Sequence, residues 1–154
     1  GADDSQDCSG GTTELIFTPS YGRVHYVLVQ GTSIGDFNLT LDCNADPFPE
    51  DPGPTPTNND DCSGAIAVSC GDVVSGTTVG FNDSNPSACG GGGDGASAGV
   101  WYTITGNGDV ITASLCGSGF DTQIAVYSGS CGSLSCVTGN DDFCGLQSQA
   151  SWPS

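Results

Sequence analysis

Basic side chains are almost missing. The 154 residues hold one Lys or Arg (Arg23) and one His (His25) against 18 Asp and Glu, a formal net charge of −17. A chain so short of cations cannot neutralise phosphates, which excludes nucleic acid and anionic membrane surfaces as partners. No apolar run approaches the ~20 residues of a spanning helix, so membrane insertion is not expected. Any signal peptide is expected to have been removed, since none is visible. Apolar residues spaced at i, i+3, i+4 and i+7 are also missing over any long stretch, and with them the main signature of helix. No nucleophile–base set or metal-ligand triad stands out. No catalytic residue is therefore assigned, and an enzyme is not expected. The Gly-rich stretch Gly90–Gly95 lacks the Lys and Ser/Thr of a phosphate-binding loop, and no helical pattern follows it.

What is present points to β-structure in an oxidising compartment. Nine Cys in a Gly-rich chain without Lys predict a disulfide framework. An odd count leaves one thiol free, bonded to another chain, or paired outside these residues. Cys131 with Cys136 is the expected local bridge, and Cys62 with Cys70 a second. Cys116 has two candidate partners, Cys89 and Cys144. Short runs of Val, Ile, Thr and aromatics, punctuated by Gly, Ser, Asn and Asp, predict strands near 13–18, 23–30, 36–42, 64–69, 73–80, 99–105, 109–115, 122–128, 134–138 and 147–152. The expected fold is all-β, an antiparallel, jelly-roll-like sandwich.

The order of features is unusual. Residues 1–43 resemble the closing half of such a module, 44–59 form a Pro-rich linker, and 60–154 resemble an opening half that stops before its last strands. Asp3-Asp4, Cys8 and Phe17-Thr-Pro-Ser20 are echoed by Asp141-Asp142, Cys144 and Trp152-Pro-Ser154. A rival alignment matches Asp7-Cys-Ser-Gly10 with Asp61-Cys-Ser-Gly64 and makes both halves domain starts. After Ser20 the chain continues into two strand patterns, Val24–Val29 and Phe37–Leu41, but after Ser154 it does not. The missing strand pair therefore lies at the other end of the same sequence. At ~3.1 Å per residue the linker reaches ~45 Å, enough to carry residues 1–43 to a neighbouring molecule or back onto their own chain.

Asn59-Asp-Asp-Cys-Ser-Gly-Ala65, Gly99-Val-Trp-Tyr-Thr103, Phe120-Asp-Thr-Gln-Ile-Ala-Val-Tyr127 and Asn140-Asp-Asp142 together resemble the pre-peptidase C-terminal family of secreted bacterial β-domains, sometimes described as CUB-like. Tyr26–Val29 with Gly35–Leu41 look like that family's two final strands. The resemblance implies a jelly-roll-like sandwich, extracellular placement at a bacterial surface and no chemistry of its own. The order here is permuted relative to the family.

These readings converge on a structural subunit of an extracellular filament, a homopolymer assembled head to tail by strand exchange. Its expected subunit contacts are Val24, Tyr26, Leu28, Phe37, Leu39 and Leu41. A chain without residues 1–43 is expected to cap such a filament without extending it. The alternative is a secreted accessory module that binds glycans or matrix. Asp121, Asn140, Asp141 and Asp142 offer hard oxygen donors suited to Ca²⁺, or serve only as turn-forming residues. Asn38 and Asn82 begin N-glycosylation acceptor patterns, and Thr55 and Thr57 are O-glycan candidates in the linker, which fits a glycoprotein or an unmodified chain equally.

Overall fold

The computed structural model describes residues 22–43, 58–82, 86–91 and 98–154. They form a β-sandwich of nine strands, with one 3-10 turn at Cys62–Gly64 and no α-helix among the described residues. The strands are β1 (Val24–Gly31), β2 (Asp36–Cys43), β3 (Ile66–Ala67), β4 (Val73–Thr77), β5 (Val100–Thr105), β6 (Val110–Ser114), β7 (Thr122–Ser130), β8 (Ser133–Asn140) and β9 (Gln149–Pro153). The predicted strand at 64–69 shortens to two residues because the 3-10 turn takes its start. The one predicted at 13–18 lies outside the described residues.

One sheet runs β3-β5-β1-β7-β8 and the other β4-β2-β6-β9. All pairings are antiparallel except the short β3–β5 contact. β1 and β2 do not pair with each other. The strand pair expected from the sequence is an arch that crosses from one sheet to the other, so its two strands face each other across the core.

The burial patterns explain this placement. β2 alternates strictly, with Phe37, Leu39, Leu41 and Cys43 buried and Asp36, Asn38, Thr40 and Asp42 exposed. That is the pattern of a strand with one face on the core and one in water. From Val27 to Gly31, β1 is buried at every residue. Its Val27 and Val29 join Phe37, Leu39, Leu41, Ile111, Ile124 and Trp152 between the sheets. Its Leu28 points the other way, into a second cluster with Cys89, Trp101, Ala125 and Tyr127. The outer face of the β1 sheet is therefore covered as well. Asn59 anchors part of that cover. Its carbonyl accepts the Trp101 N–H (2.8 Å), and its side-chain amide donates to the Trp101 carbonyl (3.2 Å). The Tyr127 hydroxyl donates to the Ser87 carbonyl (2.8 Å), and burial pushes its pKa up to about 12.

Four disulfides join Cys43–Cys70, Cys62–Cys131, Cys89–Cys136 and Cys116–Cys144. The last is one of the two pairings expected for Cys116. Neither Cys131–Cys136 nor Cys62–Cys70 forms. Cys131 sits in the β7–β8 turn, whereas Cys136 lies along β8, three extended residues past its start. That span of ~10 Å exceeds the reach of a disulfide. Cys136 is bonded to Cys89 in the outer cover, and Cys62 spans to the turn at Cys131. Cys70 has already crossed towards the other sheet, where it meets Cys43. Cys8, the ninth cysteine, lies outside the described residues.

Candidate functional site

The main candidate site is the slot that holds the arch. β1 lies between β5 and β7, with Tyr26 opposite Thr103 and Tyr127, and Leu28 opposite Trp101 and Ala125. β2 lies between β4 and β6, with Leu39 opposite Val74 and Leu41 opposite Ala113. Neither strand is added at a free edge. Without residues 22–43, the first sheet separates into β3-β5 and β7-β8, and the second into β4 and β6-β9.

Most of the expected contact residues serve the slot. Leu28, Phe37, Leu39 and Leu41 are buried and Tyr26 is partly so, but Val24 is largely exposed at the strand start. Val27, Val29 and His25 complete the set, because β1 uses both faces. The arch bend is closed by Phe120, whose ring sits where Cβ atoms on Gly31 and Gly35 would otherwise be. Thr32 N–H donates to the Asp121 carbonyl (3.2 Å), and Gly35 N–H donates to the Thr78 hydroxyl (3.1 Å).

The residues just before β1 and just after β9 meet at one turn. Gly22 N–H donates to the Gly106 carbonyl (2.9 Å), and a Cβ at Gly106 would strike Ser154. Ser154 N–H bonds the Asp109 carbonyl (3.0 Å) in the same turn. The start of β1 therefore lies beside the residue that follows β9.

His25 is the only imidazole in the sequence and belongs to the arch. It is 2 % exposed, its ring centroid lies 5.9 Å from that of Trp152, and its Nδ1 has no hydrogen-bond partner. The ring is therefore enclosed between the sheets and not partly in water. Burial lowers its pKa below 6.5, the nearby Arg23 charge lowers it further, and a backbone hydrogen bond at Arg23 opposes the shift. Because the folded state disfavours the imidazolium, the unfolded chain takes up the proton first. His25 therefore leaves stability unchanged above its unfolded pKa and lowers it as pH falls through and below ~6.5. Wild type is expected to lose more stability than His25→Gln between pH 7.5 and 5.5 in urea titrations. Equal losses would show that His25 is not the group involved.

Asp121, Asp141 and Asp142 come together at one end of the sandwich, each offering a carboxylate oxygen within 4.8 Å of the others. Asp121 Oδ1 is buried without a hydrogen-bond partner, and its Oδ2 accepts the Thr32 hydroxyl (2.9 Å) from the arch. The fourth expected donor turns elsewhere, since Asn140 Oδ1 accepts the Gln149 N–H (3.1 Å). Three converging carboxylates suit a hard divalent cation such as Ca²⁺, which would relieve their mutual repulsion. Millimolar Ca²⁺ is expected to raise the melting temperature, excess EDTA to reverse the rise, and Asp142→Ala, at an exposed position, to abolish the response. A melting temperature indifferent to both reagents would leave these residues as turn formers.

Of the glycan candidates, Asn38 is exposed on the outer face of β2, where its Oδ1 accepts the Ser75 hydroxyl (2.8 Å). Asn82 is exposed and held by Asp60 through its N–H (2.8 Å) and side-chain amide (2.6 Å). Thr55 and Thr57 lie outside the described residues. Trp101, Tyr102 and Tyr127 are core residues, and Phe120 is partly buried against the core. Among the described residues no helix is long and apolar enough to cross a membrane. The chain matches no family model, no curated protein and no solved structure.

Proposed function

We propose that this protein is the structural subunit of an extracellular filament, in which the 22–43 arch of one copy fills the slot of the next. The observation that carries this reading is the placement of the arch. Both its strands are central, yet they belong to a segment separated from the rest of the sandwich by the Pro-rich stretch 44–57. An identical arch from a second copy makes every contact described above, so exchange costs no contact within the sandwich. Head-to-tail exchange then generates an open polymer unless the geometry closes a ring. Strand donation supplies main-chain hydrogen bonds along both flanks of each donated strand. The four disulfides fit an oxidising, extracellular setting.

Negative-stain electron microscopy and sedimentation test the reading. Filaments that lengthen with protein concentration are expected. A stable monomer at high concentration would replace this reading with that of a glycan- or matrix-binding accessory module. That second reading has one observation in its favour, a shallow groove of about 580 Å³ bordered by Asp36, Asn38, Ser75, Thr77 and Ser118. The groove has no exposed aromatic to stack on a sugar ring, since its Phe37 is buried, and the filament reading is therefore preferred.

A further inference from the structure

We propose that the Cys43–Cys70 disulfide closes each filament joint covalently, so that the mature polymer is a continuous covalent chain of subunits. This rests on the assembly reading above. Cys43 is the last residue of β2 and so of the arch, and Cys70 lies in the turn that leads into β4. Their Cα atoms are 5.4 Å apart. The other three disulfides lie wholly within residues 58–154. When the arch is donated to a neighbour, Cys43–Cys70 alone among the four becomes a bond between chains. Each subunit then spends Cys43 on one neighbour and Cys70 on the other.

The geometry makes the bond a consequence of correct docking. Leu41 N–H donates to the Asp72 carbonyl (3.0 Å), and Gly71 N–H donates to the Leu41 carbonyl (2.8 Å), which sets the end of β2 against the Cys70 turn. A slip of one residue would turn Cys43 to the opposite face of the sheet, away from Cys70. Docking in register comes first and the covalent bond second. Chemically, a Cys thiolate attacks the disulfide of an external oxidant, such as oxidised glutathione or an oxidised thiol oxidoreductase, and releases one of its sulfurs as a thiolate. The second Cys thiolate attacks the protein sulfur of the resulting mixed disulfide and expels the oxidant's remaining thiolate. Two thiols lose two protons and two electrons, and the oxidant leaves as its two reduced thiols.

The experiment uses the intact chain. Reduced ¹⁵N-labelled and unlabelled protein are mixed in equal amounts, reassembled in a glutathione redox buffer, imaged, thiol-blocked and digested with pepsin at acid pH. Mass spectrometry then reads the isotopes of each linked peptide pair. Half of the Cys43–Cys70 pairs are expected to be mixed, and none of the Cys62–Cys131 pairs. Filaments whose Cys43 and Cys70 thiols are free would overturn covalent closure while leaving strand exchange standing, whereas filaments whose Cys43–Cys70 pairs are all unmixed would place each arch in its own chain and overturn both. Monomers without filaments would remove the assembly reading and the closure with it.

Discussion

A chain shortened to residues 58–154 is expected to lose its cooperative thermal transition and to regain it when a peptide spanning residues 21–43 is added. The reason lies in where the arch sits. Val27, Leu28, Val29, Phe37, Leu39 and Leu41 are each at most 2 % exposed. At ~1.5–3 kcal/mol for each fully buried large side chain, the six contribute ~9–18 kcal/mol before entropy is subtracted. The net stability of a whole domain is only ~5–15 kcal/mol. Removing the arch also leaves β5, β7, β4 and β6 with unpaired main-chain groups along their inner edges, and such groups are costly to leave unsatisfied. Under the proposed assembly, the shortened chain is expected to cap a filament end only once a neighbour's arch has docked in its slot. Circular dichroism with and without the peptide measures the effect. A shortened chain that melts cooperatively at the full-length temperature would show that the arch decorates an independent domain.

Trp152→Ala is expected to cost ~3–5 kcal/mol, the usual range for truncating a buried aromatic. For a domain of this size that corresponds to a fall in melting temperature of roughly 6–20 °C. Trp152 is 1 % exposed on β9 and packs against His25 of the arch, so the loss falls on the slot itself. Trp152→Phe is expected to cost far less, below ~1.5 kcal/mol. The smaller ring leaves a modest void, but the substitution also removes an indole N–H that is buried without a hydrogen-bond partner. An unsatisfied buried donor carries a penalty of ~1–3 kcal/mol, and its loss offsets much of the void. Equal destabilisation by the two substitutions, measured by urea unfolding, would mean that the indole N–H is satisfied in solution and that shape is not the dominant contribution.

The sequence by itself determined the local structure. A period of two is written into Phe37-Asn-Leu-Thr-Leu41, because each apolar residue must face the core while its neighbours face water, and β2 follows that pattern residue by residue. Strand-length apolar runs between Gly, Asn and Asp located eight other strands for the same reason. Tertiary structure decided what depends on contacts between distant residues. Nothing local in Val24–Val29 says that both faces of β1 are covered, because the cover comes from the segments around Asn59 and Ser87. For the same reason His25, flanked by Val24 and Tyr26, is buried against Trp152, a residue more than a hundred positions away. The disulfides pair across loops of 27 to 69 residues, so proximity in sequence favoured the wrong partners for Cys131 and Cys62. Asn140 shares a sequence motif with Asp141 and Asp142, but the approach of β9 turns its side chain to Gln149. That β1 and β2 occupy the centres of two different sheets follows from which strands fold in beside them, and that choice belongs to the assembled sandwich.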